Sequence, residues 1–235
     1  MKKSIIIPVY NEEGNIGNLI KNIKNLINED DELIIVDDGS TDNTNEEIRS
    51  HGCKLVTLNK NKGKGAAMKA GIKVASRDLI VFMGGDGQDN PSEMDILVSG
   101  IVEGNDYVIG SRFIQQGQHQ RYSKKAILPI NEFGNKFLTF LINFMFGQNI
   151  TDSQSEFKCF KSEKLKKLKL VTSRYEIETE LLIRSFRKGY KIKEVPVHRY
   201  ERKFGKSKLF DVPFGRFKFG LKVLYTIFKG YLFWR

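Results

Sequence analysis

The stretch DELIIVDDGSTDNTNEEIRS, residues 31–50, decides the fold. It opens with a short continuous apolar run, passes through two aspartates and a Gly-Ser turn, and continues as a polar segment from Thr44. An apolar run this short, without alternation, reads as a strand covered on both faces. The pattern predicts a strand over Asp31–Val36 and a helix over Thr44–Ser50. The carboxylates then stand at the carboxyl end of a strand, where open α/β sheets bind their ligands.

Outward from this unit the same alternation recurs. Ser4–Val9 reads as a buried strand, and Asn15–Ile27 as a helix with apolar residues at 16, 19, 20, 23, 26 and 27. Beyond residue 50 come a strand at Lys54–Leu58, a helix at Gly65–Ala75, a strand at Asp78–Met83, a helix at Met94–Gly100 and a short strand at Tyr107–Gly110. The prediction is an α/β fold, a mostly parallel sheet flanked by helices. The second half is less regular: a polar loop over Gln115–Ser123, helices at Ile127–Phe146 and Tyr175–Phe186, a strand at Tyr190–Val197, and a basic loop at Gly205–Lys208. No internal repeat is visible.

The 235 residues carry a net charge of +11, and 40% of them are hydrophobic, enough for a real core. Residues 202–235 hold nine Lys/Arg and one acid, so much of the excess lies at one end. Such an end seeks anionic lipid, phosphate-bearing substrates or nucleic acid. No nucleic-acid motif accompanies it, so nucleic acid is not expected as a partner. Cys53 and Cys159 fit no metal or redox spacing; they are expected to be reduced, in keeping with a cytoplasmic location. No stretch reaches the length of a spanning helix. The tail from Phe214 interleaves aromatics with Lys and Arg, as an amphipathic helix at a lipid surface does; a helix docked on the core reads equally well, and an oligomer contact is a third reading.

The polar segments follow strand ends and should converge on one rim. In PVYNEEGNI (8–16), Pro8 and Tyr10 can form a wall and Glu12 can accept hydrogen bonds, or the segment is a plain strand-to-helix turn. In VDDGSTDNT (36–44) the carboxylates can accept ribose or base hydrogen bonds, while Asp38 and Ser40 are also turn formers. In NKNKGKGAAMKAG (59–71) a glycine-lysine turn opens an Ala-rich helix in the manner of a phosphate cradle, but without the GxxxxGK[ST] or GxGxxG spacing; tight helix–sheet packing, with Lys64 able to approach a ligand, is the better reading. In GGDGQD (84–89), Asp86 and Gln88 offer oxygens to a hard cation, Mg²⁺ or Mn²⁺, shared with substrate phosphates. An Asx turn before Pro91 is the other reading of that segment.

In order and spacing these segments, with VIGSRF, TDSQSEFKCF, YEIETELL and KEVPVHRYERKFGKSKL, resemble the family 2 glycosyltransferases of GT-A (Rossmann-like) fold. The dolichyl-phosphate and polyprenyl-phosphate hexosyltransferases are the nearest group, and the resemblance runs from residue 4 to about 209. It implies an enzyme that moves a hexose, with inversion, from a nucleotide-diphosphate sugar to a lipid phosphate. Pro8, Tyr10, Glu12, Asp38, Lys64, Asp86 and Gln88 would hold the nucleotide sugar, with Asp86 and Gln88 at the metal. Arg112, Arg202, Ser207 and Lys208 would hold the acceptor phosphate, and Asp86, Arg112 and Gln154 would surround the reacting atoms. The expected organisation is a catalytic domain over 1–210, with a nucleotide-sugar half (1–113) and an acceptor half (114–210), then a basic C-terminal amphipathic helical tail (211–235). The implied setting is the cytoplasmic face of a membrane, as a peripheral protein, with a membrane-protein partner or a second copy as further candidates.

Three departures stand out. Gly84 replaces the first acid of the family's DADGQ or DGDGQ pattern, Glu156 replaces a glycine of its D-x-x-SGF pattern, and Glu132 lies near a position where many members have a phosphate-binding arginine. They keep two other expectations open: transfer to a saccharide hydroxyl, with Asp152 or Glu156 as base, and a nucleotide-sugar-binding protein without catalysis.

Overall fold

The computed structural model describes residues 1–114, 127–205 and 215–234. Its strands are β1 (Lys3–Val9), β2 (Glu32–Asp37), β3 (Lys54–Thr57), β4 (Leu79–Phe82), β5 (Tyr107–Ser111), β6 (Lys158–Lys161) and β7 (Ile192–Pro196). They form one sheet in the order β3-β2-β1-β4-β6-β5-β7. All pairs are parallel except those of β6, which runs antiparallel to both β4 and β5. The mixed α/β sheet with flanking helices is the architecture expected from residues 31–50 outward.

The helices are α1 (Ile16–Lys24), α2 (Thr44–Ser50), α3 (Lys64–Val74), α4 (Met94–Val102), α5 (Pro129–Phe146), α6 (Ser162–Lys166), α7 (Ile177–Arg187) and α8 (Gly215–Phe233). Successive strand residues face opposite sides of a sheet. Ile5, Ile7, Ile35 and Val81 therefore bury one face under α1, α2 and α4. Ile6, Ile34, Val36 and Phe82 bury the other under α3, α5, α7 and α8. Gly71 lets α3 lie close on that second face: a Cβ there would come within 2.4 Å of Ile6.

Two elements escape the sequence pattern. β6 is four residues long and carries Lys158, which is fully buried because its ammonium pairs with Glu178 of α7. A buried lysine reads as a surface residue in sequence, so the run KCFK gives no apolar signal. The five-residue α6 follows it directly. At the other end, α8 docks Val223, Ile227 and Trp234 into the core beside α5 and α7. Phe219 is half-buried, while Phe217, Tyr225, Phe228 and Phe233 stay exposed. Among the described residues no helix is long and apolar enough to cross a membrane.

Candidate active site

The carboxyl ends of the parallel strands deliver three of the polar segments to one rim. The loops after β1, β2 and β4 line a polar cavity of about 410 Å³, with Pro8, Tyr10, Glu12, Asp38, Lys64, Asp86 and Gln88 in its walls. Arg202 reaches the same cavity from the segment after β7. Ser207 and Lys208 lie outside the described residues, as does the loop at Gln115–Ser123.

The two aspartates at the end of β2 have separate jobs. Asp37 accepts hydrogen bonds from Ser40 N (3.0 Å), Ser40 Oγ (2.5 Å) and Asn45 (2.9 Å) and thereby builds the turn. Asp38 accepts from the backbone amides of Lys62 (2.8 Å) and Gly63 (2.7 Å), clamping the loop before α3 to the cavity wall. Burial raises its pKa despite those two amides. The glycines of that loop answer to a close approach: Gly63 has φ +99°, and a Cβ on Gly65 would lie 2.9 Å from the backbone of Ser173. These two glycines pack on the segment before α7, while Gly71 further along α3 packs on the sheet as expected.

The acids after β4 are tied to cations from the segment after β7. Arg199 bonds Asp89 (2.8 Å), Gln88 Oε1 (3.0 Å) and Asp86 (3.2 Å). Arg202 bonds both oxygens of Glu12 (3.0 and 3.2 Å) and reaches Asp86 at 3.4 Å. Tyr200 closes the join by donating its N–H to Gln88 O (2.8 Å) and accepting from Gln88 Nε2 (2.8 Å). Burial works against the charge on Arg199, but Asp86, Asp89 and Glu156 outweigh it and raise its pKa. Burial raises Glu12 and Asp89 further than their arginine partners lower them.

Lys64 stands at the first residue of α3 between Glu156 (3.0 Å) and Glu178 (2.5 Å). Burial again opposes its charge, and the two carboxylates outweigh it. Glu156 is correspondingly held down to about 2, because Lys64 and Arg199 overcome the cost of burial.

A second cavity of about 400 Å³ opens beside the first. Ile127, Ile130, Phe137 and Leu138 from the α5 side and Phe219 and Leu224 of α8 make it largely apolar. Its inner end is polar: Lys64, Gln88, Glu156, Tyr175 and Arg199 border both cavities, and Arg112 and Gln154 border the second. Arg112 makes a two-pronged contact with the fully buried Asp152 (2.6 and 2.7 Å), which also accepts from Asn135 (2.9 Å). Burial would raise Asp152, but Arg112 more than reverses it. Gln154 donates to Ser153 and Thr179 (3.0 Å each), while its Oε1 is buried without a hydrogen-bond partner among the described residues.

The candidate residues thus fall into two groups. Pro8, Tyr10, Glu12, Asp38, Asp86 and Arg202 meet in the polar cavity, Arg112 and Gln154 meet at the inner end of the apolar one, and Lys64 and Gln88 border both. Arg199, Asp89 and Glu178 were not among the candidates. Arg199 had a usable signal, a basic residue just beyond the end of β7 on the same rim. Asp152 was expected only as an alternative base, and nothing in the sequence pairs it with Arg112, 40 residues away, or Glu178 with Lys158, 20 residues away.

An α/β sheet with acids, paired guanidiniums and a lysine at its strand ends is an arrangement suited to an anionic ligand at the rim. The sequence pattern of the glycosyl transferase family 2 domain matches residues 4–169, and the chain belongs to that family. The chain is 31% identical to the UDP-N-acetylglucosamine–dolichyl-phosphate N-acetylglucosaminyltransferase of Methanococcus voltae, over 95% of its own length and 93% of the relative's. It is 32% identical to the dolichol-phosphate mannosyltransferase of Pyrococcus furiosus, over 89% of its own length and 59% of the relative's. Among solved structures it resembles the glucosyl-3-phosphoglycerate synthase of Mycobacterium tuberculosis, crystallised with Mn²⁺, UDP and phosphoglyceric acid. The TM-score is 0.78 at 22% identity, covering 98% of this chain and 78% of that one, which establishes the shared fold. The protein is a family 2 glycosyltransferase.

Proposed function

We propose that the enzyme transfers a hexose, with inversion, from a nucleotide-diphosphate sugar in the polar cavity to the phosphate of a polyprenyl-type lipid in the apolar one. The observation that carries this reading is the junction itself. A polar cavity and an apolar groove of similar size meet at Lys64, Gln88, Glu156 and Arg199. A lipid phosphate needs both an apolar channel for its chain and cations at its end. Two relatives are named for transfer to dolichyl phosphate or dolichol phosphate, which agrees with it.

In this reading Pro8, Tyr10, Glu12 and Asp38 shape the nucleoside end, and Asp86 faces the diphosphate. Among the described residues no group of three or more His, Cys, Asp or Glu is arranged to hold a metal by itself. Mg²⁺ and Mn²⁺ sites in nucleotide enzymes need only one or two carboxylates because substrate phosphates complete the shell. The residues present fit that shared arrangement, with Asp86 as the carboxylate and Gln88 beside it. A bound cation would neutralise charge building on the departing diphosphate. Asp86 can turn toward it once Arg199 and Arg202, its present partners, engage phosphate oxygens.

At the junction the bond from the sugar's anomeric carbon to the diphosphate oxygen breaks, and its electron pair leaves with the nucleoside diphosphate. A bond from the acceptor phosphate oxygen forms on the opposite face. A phosphate monoester has a second pKa of about 6 and is largely dianionic at pH 7, so the step needs no general base. The side chains agree: Asp152 is sealed by Arg112 and Asn135, and Glu156 is too weak a base. Arg112 is anchored by Asp152 and would orient the acceptor phosphate rather than swing to it.

The exposed faces of α5 and α8, including Phe133, Phe140, Phe144, Phe217 and Phe228, flank the groove and would rest on the lipid surface from which the acceptor enters. Loss of sedimentation with anionic vesicles in the Phe217→Ser/Phe228→Ser variant is the expected check. Transfer itself is tested with labelled GDP-mannose, UDP-glucose and UDP-N-acetylglucosamine and a short polyprenyl phosphate, with and without Mn²⁺ or Mg²⁺. A metal-dependent lipid product from one donor is expected; no lipid product from any donor would refute the reading.

A further inference from the structure

The two departures at positions 84 and 156 are one exchange. β4 pairs antiparallel with β6 in a register that sets Phe82 opposite Lys158. Extending that register by two residues sets Gly84 opposite Glu156. Directly opposed residues of an antiparallel pair project to the same side and compete for the same space. The geometry bears this out: a Cβ on Gly84 would lie 2.9 Å from Glu156 Oε2, 3.2 Å from Asp86 Oδ1 and 3.3 Å from Asp89 Oδ2. The carboxylate that the chain lacks at 84 is therefore present, delivered from the facing segment, and a bulkier residue at 84 would collide with it.

Glu156 borders both cavities. A sugar passing from the donor diphosphate to an acceptor in the groove must occupy the place where they meet. We propose that Glu156 is a sugar-binding residue of this enzyme, its carboxylate accepting hydrogen bonds from hydroxyls of the transferred hexose in place of an acid at position 84. The inference rests on the proposed division into donor cavity and acceptor groove. Lys64, 3.0 Å away, fixes the carboxylate's direction, and its negative charge is secured by the same contact.

The experiment compares wild type with Glu156→Gln, Glu156→Gly, Gly84→Asp and Gly84→Asp/Glu156→Gly. Each is titrated with UDP against UDP-N-acetylglucosamine and with GDP against GDP-mannose, and kcat and KM are measured with the donor that turns over. Glu156→Gln is expected to bind the nucleoside diphosphate within about twofold of wild type, which also shows that it is folded. It should bind the nucleotide sugar at least tenfold more weakly and turn over about a hundredfold more slowly. Gly84→Asp should lose activity through crowding of carboxylates. The double variant should exceed either single variant by at least tenfold. A wild-type ratio of sugar to nucleotide affinity in Glu156→Gln would overturn the assignment while leaving the two-cavity reading intact. A double variant no better than the poorer single one would do the same. Wild-type protein that binds none of these nucleotides would remove both.

Discussion

The two cavities are nearly equal in volume, about 410 and 400 Å³, and opposite in construction. The polar one is made of loops at strand ends, and its shape is held by ion pairs that cross the chain. Arg199 alone joins Asp86 and Asp89, more than 100 residues away. The apolar one is made of helix faces, α5 against α8, with Gly134 and Gly220 leaving room along it. One is built for charge, which must be paired when buried, and the other for an apolar chain that only needs space. That difference predicts separable defects, one set in the donor step and one in the acceptor step.

The largest effect is expected at Asp86. Asp86→Ala should cut metal-dependent turnover by about 10³-fold, measured as kcat with saturating donor. Retained activity would take Asp86 out of the donor site. Next is Arg199→Ala, which leaves the buried Asp89 without its ion-pair partner and Asp86 with only the longer contact to Arg202 among its described ion pairs. Breaking a buried pair of this kind costs about 3 kcal/mol. Denaturant unfolding should show that loss, and an unchanged midpoint would mean that the polar cavity is not held as described.

The acceptor side makes a milder prediction with a clear sign. With no enzyme base at work, kcat/KM should fall about tenfold per pH unit below about 6, as the acceptor phosphate takes its second proton. Replacing the phosphate by an analogue of shifted pKa should move that limb by the same amount. A limb that stays put would assign it to the protein. Glu156 cannot be its source: its folded pKa is depressed to about 2, so it remains ionised throughout this range. The smallest effect is expected at Gly134, where a Cβ meets open space. Gly134→Trp should raise KM for polyprenyl phosphate about tenfold and leave nucleotide affinity unchanged. An unaffected KM would mean that the lipid lies elsewhere.

How much of this was legible in sequence follows the same division. The strands β1, β2 and β4 announce themselves because both faces are buried, and the acids at their ends are adjacent in sequence to the runs that place them. Asp38, Asp86 and Glu12 could be found for that reason. Their pairings could not: Arg202, expected at the acceptor phosphate, instead meets Glu12 across 190 residues, and only the sheet order brings the ends of β1 and β7 to one rim. β6 was hidden by Lys158, whose burial depends on Glu178. The groove was half visible. The aromatic spacing of 127–146 and 214–234 signalled helices with apolar faces, but which face docks and which stays exposed depends on α7 between them. Gly84 looked like a loss until the β4–β6 register supplied Glu156.

The most direct measurement compares three acceptors under one assay: a polyprenyl phosphate, the free polyprenol of the same chain, and a water-soluble phosphate monoester without the chain. The two-cavity account predicts transfer to the polyprenyl phosphate, none to the alcohol, and weak transfer to the chainless phosphate through a raised KM. Equal transfer to the alcohol, or indifference to the prenyl chain, would contradict it.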